Sequence, residues 1–382
     1  MAESEAKPKV LLVTRNYPPL RGGMERLNWQ LSKVLGQSAR VMVVGPAGAA
    51  AHAPEQVAVF DVPLQPLSRF LLSAALRTIR LARIERPAFV LAGSGLTVPI
   101  VWIAANSARA RSIAYVHGLD VVARHPVYRL CWLPFLRRMN RVITNSRATA
   151  ALCEAAGVRI ERITVVHPGT QLQPETTEED RSLARIQFRE RHALGDGPLL
   201  LSVGRLTARK GVSEFINEVL PAIVAVHPRC TLVVVGDVPT HALQAAASST
   251  AQIHRVAQTM GLEQNVRCLG TLSDLELRFA YRAADVHVLP VRNFPHDPEG
   301  FGMVSIEAAA HGLPTVAYAC GGVPDAVCDG VSGVLIQSGD AAAFAKAVVE
   351  LLRNPLPTEP MRKFAEGFSW ENFGRKMAEV LR

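Results

Sequence analysis

The chain has 382 residues, of which 49% are hydrophobic and 20% charged, and its formal net charge is +9. That length is too great for one ordinary core and suits two domains of roughly 150–200 residues, while the composition excludes a disordered chain. The six cysteines (Cys131, Cys153, Cys230, Cys268, Cys320 and Cys328) form no C-x-x-C pair and lack the neighbours a zinc site needs, so buried free thiols in a reducing compartment are expected.

The polar start MAESEAKPK runs straight into Val10-Leu11-Leu12-Val13 with no signal-peptide core, which reads as a cytoplasmic protein. The apolar run is a strand, followed by a Pro/Gly-rich loop and a helix from about Met24. Val41–Val44, Phe89–Ala92, Ser112–Val116 and Arg141–Thr144 read as further strands. Near-continuous apolar runs separated by helices predict a parallel sheet covered on both faces. The stretch from Pro87 to Ala108 carries no charge, but Gly93-Ser94-Gly95, Pro99 and Asn106 interrupt it. It reads as a buried strand, a tight turn and a buried helix rather than a membrane span.

From Pro66 to Arg141 there are twelve arginines and two acids, Glu85 and Asp120, a local surplus of ten that exceeds the surplus of the whole chain. Such a patch attracts acidic lipid head groups, nucleic acid or phosphate-rich substrates. Pro66–Arg86 reads as an amphipathic helix with Leu72, Leu76 and Ile79 on one side and Arg77, Arg80 and Arg83 on another. Such a helix either packs its apolar stripe on the sheet or docks on an anionic membrane. Tyr128–Arg141, with Trp132, Leu133, Phe135, Arg137 and Arg138, adds a second basic-aromatic segment.

The pattern breaks at Gln171–Gly197, where Pro174 and a run of acids precede a charged helix and the whole looks like a linker, and restarts with strands at Leu199–Val203, Thr231–Val235, Val266–Leu269, Val286–Leu289 and Thr315–Tyr318. In such sheets ligands bind beyond the carboxyl ends of the strands. Three post-strand loops carry chemistry. After the first strand, Gly22-Gly23 precede a helix, where bare backbone can approach a phosphate, although such a pair taken alone is more often plain turn chemistry. In Gly204-Arg205-Leu206-Thr207-Ala208-Arg209-Lys210-Gly211, Arg205 can fork onto phosphate oxygens and Lys210 adds a point charge, with no acid between them. In Asp297-Pro298-Glu299-Gly300-Phe301-Gly302-Met303-Val304-Ser305-Ile306-Glu307-Ala308, Glu299 precedes a helix expected to start near Phe301. Glu307, about two turns on, is then expected on the side of the loop, and in its apolar setting it needs a polar partner. His117 ends a strand in Tyr115-Val116-His117-Gly118-Leu119-Asp120.

Taken together, P-P-x-x-G-G-x-E-R, V-G-R-L-x-x-x-K-G, A-A-D-V-x-V-L-P (Ala283–Pro290) and E-G-F-G-x-x-x-x-E-A resemble the family 4 retaining glycosyltransferases of the GT-B fold, over nearly the whole chain. That family includes bacterial mannosyltransferases acting on phosphatidylinositol and on polysaccharide precursors. The resemblance implies an α/β protein with two Rossmann-like parallel-sheet domains facing a central cleft. The expected division is 1–172 for the acceptor domain, 173–197 for the linker, 198–360 for the donor domain, and 361–382 for a helix returning to the first domain. It further implies that Arg205 and Lys210 hold the donor diphosphate, Glu299 the donor sugar and Glu307 the ribose. Gly300 and the amides of Phe301 and Gly302 would line the sugar and phosphate, and Gly22 and Gly23 would approach the diphosphate. Leu272 would contact the base through its backbone, His117 the donor sugar and acceptor, and Asp120 would orient His117 or bind the acceptor.

Two segments depart from the family pattern: Asp237-Val238-Pro239-Thr240 with the Ala/Ser-rich stretch to Ala251, and Asn293–Pro298, which is longer than needed. Both flank the donor pocket and leave the donor open between GDP-mannose, or a related GDP-sugar, and a UDP-sugar. No D-x-D occurs, so Arg205, Lys210 and helix amides are expected to neutralise the leaving group without a metal. The acceptor expected from the basic face is a glycan or lipid-linked precursor of envelope polysaccharide or lipopolysaccharide. The protein would then sit at the inner face of the plasma membrane through Arg77, Arg80, Arg83, Arg137 and Arg138. The rival readings are a nucleotide-sugar epimerase or hydrolase of the same fold, and a binding protein for nucleic acid or an anionic surface. No interleaved RNA-binding motif accompanies the arginines, and no strand is followed by G-x-G-x-x-G, which disfavours nucleic acid and a dinucleotide dehydrogenase.

Overall fold

The computed structural model describes residues 7–123, 125–174, 177–238, 249–294 and 296–382. The chain divides into two units, Met1–Gly169 with Trp370–Arg382, and Thr170–Ser369.

The first unit is a parallel sheet of seven strands: β1 (Lys9–Val13), β2 (Arg40–Pro46), β3 (Val57–Val62), β4 (Phe89–Ala92), β5 (Arg111–Val116), β6 (Arg141–Thr144) and β7 (Ile163–Val165), in the order β3-β2-β1-β4-β5-β6-β7. The central strands are apolar at nearly every position because helices cover both faces. Val10 to Val13, Val41 to Val44 and Phe89 to Ala92 are all buried. Helix α1 (Gly23–Ser38) follows β1, α2 (Leu67–Glu85) follows β3, and α3 (Val98–Ala108) follows β4. The uncharged stretch is thus β4, a turn and α3, which buries one face (Val98, Ile100, Val101, Ala104 and Ala105) and leaves Ile103 exposed; among the described residues no helix is long and apolar enough to cross a membrane.

On α2 Phe70, Ala74, Thr78 and Ala82 are buried, and Leu67, Leu71, Ile79 and Leu81 are partly buried against the same core. Leu72 and Leu76 point outward, 63% and 64% exposed, so of the expected stripe Leu72, Leu76 and Ile79 it is Ile79 that packs on the core.

The second unit has six parallel strands: β8 (Leu199–Val203), β9 (Thr231–Val235), β10 (Val266–Gly270), β11 (Val286–Leu289), β12 (Thr315–Tyr318) and β13 (Gly333–Ile336), in the order β10-β9-β8-β11-β12-β13. The acidic stretch read as a linker contains a helix, Glu178–Arg191, that belongs to this unit. Arg185 anchors it by a two-pronged pair with Asp285, 2.6 and 3.1 Å. Of the two segments that break the family pattern, 239–248 and Pro295 lie outside the described residues. All six cysteines are free thiols; Cys153, Cys230 and Cys320 are buried and Cys268 and Cys328 partly so, but Cys131 is exposed, because its short helix Pro126–Cys131 buries no side chain.

The chain re-enters the first unit through a terminal helix, Trp370–Val380. Its Trp370, Phe373 and Met377 are buried, Phe373 stacks on Tyr115 (6.3 Å between centroids), and Gly374 lies close against Val34 of α1.

Candidate functional site

In each sheet the strand order reverses between two adjacent strands, β1 and β4 in the first unit, β8 and β11 in the second. The loops that leave the carboxyl ends of such a pair diverge and leave a crevice. In the second unit these loops are 204–210 and 290–302, and they are fastened to each other. Gly211 sits at φ 68°, and a Cβ there would run into the Pro290 carbonyl, so only glycine allows the approach. The Arg292 amide donates to the Arg209 carbonyl at 2.8 Å across the same junction.

This fastening brings charges together. One carboxylate oxygen of Glu299, Oε2, accepts from Arg209 Nη1 at 2.8 Å and from Lys210 Nζ at 2.9 Å. Arg209 also lies 3.3 Å from Asp297 through Nε and donates to the Pro298 carbonyl at 3.2 Å. The three side chains are 10–13% exposed. Burial alone would raise the Glu299 pKa, but the charges of Arg209 and Lys210 outweigh it and bring the carboxyl down to about 2. Burial pulls the Lys210 ammonium below its usual range, against the attraction of Glu299. Behind them His287 of β11 bonds Thr315 through Nδ1 at 3.0 Å and is pushed down to about 3 by burial and then by the Lys210 charge, so it is neutral. Arg205, on the same loop as Lys210, is exposed. With Ser202, Gly204 and Lys210 it lines a small cavity over the end of β8.

Beyond Glu299 the loop is braced by the turn after β12. The Gly322 amide donates to the Glu299 carbonyl at 2.8 Å, and neither Gly321 nor Gly322 has room for a side chain against Glu299 and Gly300. The helix begins at Met303, two residues past Phe301, with Gly302 at φ 91° as its cap. Glu299 is a loop residue and Glu307 lies on the helix, as expected, one turn inside it. Phe301 is buried among apolar side chains, and Gly300 and Gly302 complete the loop on either side of it. Glu307, 9% exposed, accepts a hydrogen bond from the Tyr281 hydroxyl at 3.0 Å. Tyr281 in turn stacks on His311 at 5.0 Å. Leu272 lies between β10 and the helix Asp274–Ala283, half-buried against that sheet face.

In the first unit the equivalent loops are tied by buried amides and carbonyls. Asn28 of α1 donates from Nδ2 to the carbonyls of Asn16, Met24 and Gly93, at 3.0–3.3 Å. His117, at the end of β5, donates from Nε2 to the same Gly93 carbonyl at 3.2 Å, so that ring nitrogen carries the proton. Burial lowers the His117 pKa, leaving a neutral imidazole. Asp120 accepts from the His117 amide at 3.0 Å and so fixes the turn rather than the ring; burial raises its carboxyl. Gly22 caps α1 and Gly23 opens it, beside Glu25, whose Oε1 accepts from Asn16 at 2.8 Å.

The structure thus brings Lys210, Glu299, Gly300, Phe301 and Gly302 to one crevice, with Arg205 on the adjoining loop. Glu307 stands deeper, and Gly22, Gly23, His117 and Asp120 cluster at the carboxyl ends of the first sheet. Sequence reasoning missed Arg209, Asp297 and Tyr281. It found no acid between Arg205 and Lys210 to form a local pair; the acid comes instead from Glu299, 90 residues beyond Arg209. The signal that could have found Arg209 was a second cation directly beside Lys210. Among the described residues no three His, Cys, Asp or Glu side chains gather where they could hold a metal ion.

Two family models cover most of the chain: "Glycosyltransferase Family 4" matches residues 21–173 and "Glycosyl transferases group 1" residues 184–367. A GDP-mannose-dependent alpha-(1-6)-phosphatidylinositol monomannoside mannosyltransferase of Mycolicibacterium smegmatis is 30% identical over 390 residues, covering 97% of this chain and 98% of that protein. A D-inositol 3-phosphate glycosyltransferase of Geodermatophilus obscurus is 35% identical over 237 residues, 61% of this chain and 50% of that protein. Among solved structures, Anabaena HepE in complex with UDP superposes with a TM-score of 0.78 over 98% of this chain and 99% of that one, at 22% identity, a likeness of fold. With two parallel-sheet units, charged loops at the strand-order reversals and both family models along its length, the chain belongs to the glycosyltransferases of the GT-B fold and is related to bacterial GDP-mannose-dependent mannosyltransferases.

Proposed function

We propose that this nucleotide-sugar-dependent glycosyltransferase is a retaining, metal-independent hexosyltransferase that uses GDP-mannose or a related GDP-sugar. The observation that carries the reading is the Arg209–Glu299–Lys210 cluster at the β8/β11 reversal: a buried cation pair already holding an anion, at the point of the fold where diphosphates are gripped. Arg205 and Lys210 bind the diphosphate and stabilise the negative charge that grows as it departs, with the amides at the start of the helix Met303–Ala310 beside them. Glu299 accepts from hydroxyls of the donor sugar and Glu307 from the ribose. Gly300, Phe301 and Gly302 shape the sugar pocket, and the backbone at Leu272 meets the base. Gly22 and Gly23 add diphosphate contacts. His117, neutral and anchored on Gly93, contacts the sugar and the acceptor, with Asp120 holding its turn. The acceptor attacks from the face the nucleotide leaves, which gives retention.

The M. smegmatis and G. obscurus relatives are named for inositol-bearing acceptors, which supports a glycan or lipid-linked acceptor here. A lipid-linked acceptor fits an enzyme working at the cytoplasmic face of a membrane, held there by Arg77, Arg80, Arg83, Arg137 and Arg138.

The test is a thermal-shift screen against GDP-, UDP- and ADP-sugars, then turnover with the stabilising donor in EDTA. GDP-mannose is expected to stabilise the chain most, and EDTA to leave turnover unchanged. Arg205→Ala and Lys210→Ala are each expected to lower kcat by at least about 100-fold without unfolding. Wild-type turnover in either variant removes that residue from the role, and conversion of the sugar without an acceptor would favour the epimerase reading.

A further inference from the structure

Glu299 carries two cations on a single oxygen, and the two are anchored differently. Among the described residues Lys210 forms its ion pair with Glu299, at 2.9 Å. Arg209 spreads its guanidinium over the whole segment that bears Glu299: Nη1 reaches both the Glu299 carboxylate (2.8 Å) and the Pro298 carbonyl (3.2 Å), and Nε lies 3.3 Å from Asp297. Its own carbonyl is pinned by the Arg292 amide at 2.8 Å. A planar fork of fixed geometry can serve these acceptors at once, whereas an ammonium is a single point charge.

These anchors matter once a diphosphate arrives. Its charge draws Lys210, because a phosphate oxygen competes directly with the carboxylate for the ammonium. Glu299, 10% exposed, would then lose one of its two counter-charges. A buried carboxylate stripped of its partners takes up a proton or swings away, and in either case it stops accepting from a sugar hydroxyl in a fixed position.

We propose that Arg209 is a positioning residue of the donor site, which keeps the Glu299 carboxylate in place for the sugar when Lys210 turns to the diphosphate. The inference rests on the donor-site reading above. It separates two tasks within one cluster: Lys210 serves the diphosphate and Arg209 serves the sugar through Glu299.

Calorimetric titration of the full chain with GDP and GDP-mannose, and with UDP and UDP-glucose, reads the two tasks apart. In Arg209→Gln the Kd for the nucleoside diphosphate of the working pair is expected to stay within about threefold of wild type, while that for the sugar nucleotide weakens about tenfold or more. The kcat is expected to fall about 100-fold. Because Arg209 acts through Glu299, the double variant R209Q/E299Q should be no slower than E299Q, an interaction that general loosening of the loop would not produce. R209K, which keeps the charge but not the fork, should lie between wild type and R209Q, and it carries the test if R209Q fails to fold. The inference is overturned if both variants keep the wild-type ratio of the two Kd values, if nucleotide and sugar nucleotide weaken equally, or if the double variant multiplies the two single losses. A wild-type chain that binds neither pair overturns the donor-site reading and this inference together.

Discussion

The carboxylate of Glu299 meets two buried cations on one oxygen, and its folded-state pKa is about 2 against 4.5 for the free side chain. With the folded value below the unfolded one, the unfolded chain binds the extra proton between these pH values, so stability rises with pH across that window. The contribution is fully present above about pH 4.5 and is lost as pH falls to about 2; in magnitude it is on the order of 3 kcal/mol. Urea unfolding of wild type and Glu299→Gln is therefore expected to diverge above pH 4.5 and to converge towards pH 2. A gap that stays constant through the window would contradict the ion-pair assignment. Individual residues were legible in proportion to how local their signal was. Lys210 and Glu299 stand in loops that follow apolar strands, and a charge there announces a ligand. Arg209 and Asp297 could not be read this way, because what defines them is a partner on another loop, and Tyr281 is defined by Glu307, 26 residues away.

At the level of elements, sequence periodicity found every interior strand and one edge strand, β10, and the three it missed, β3, β7 and β13, are all sheet edges. An interior strand with helices on both faces must be apolar throughout, and that run is visible; Leu199–Val203 and Val286–Leu289 lie where expected. An edge strand is half-covered, and Val57–Val62, with buried residues only at its ends, carries no such run. Helix α2 shows the opposite failure. Its contact face joins Phe70, Ala74, Thr78 and Ala82 with the flanking Leu71 and Ile79, whereas Leu72, Leu76 and Ile84 stand in solvent among the arginines. An outward face mixing long apolar side chains with Arg77, Arg80 and Arg83 suits the lipid surface proposed above, where leucines would enter the acyl boundary and guanidinium groups would meet phosphates. Flotation with anionic vesicles is expected to recover the wild-type chain. The variant R77E/R80E/R83E should lose at least tenfold in partitioning, since each arginine near such a surface contributes about 1 kcal/mol. Equal recovery from neutral and anionic vesicles would remove the membrane from the account.

On the scale of the whole molecule, the two units are built differently along the chain. The second, Thr170–Ser369, is one continuous segment, whereas the first needs Trp370–Arg382 as well as Met1–Gly169. Phe373 and Met377 are 2% and 0% exposed, and Gly169 has no room for a side chain beside Trp370. Phe373→Ala and Met377→Ala are each expected to cost about 2–5 kcal/mol, from lost burial and the cavity left behind. Hydrogen exchange should localise that loss to α1 and β5, leaving the strands β8 to β12 as protected as before; equal loosening of both sheets would mean that the terminal helix supports more than the first unit. The same layout sets an order for biosynthesis. The unit that opens the chain is the later one to be finished, because a ribosome releases all of Thr170–Ser369 before Trp370, Phe373 and Met377 emerge to cover α1. Until that segment emerges, the apolar surface of α1 and Tyr115 that it covers in the finished fold lacks its cover, the kind of exposure that favours aggregation.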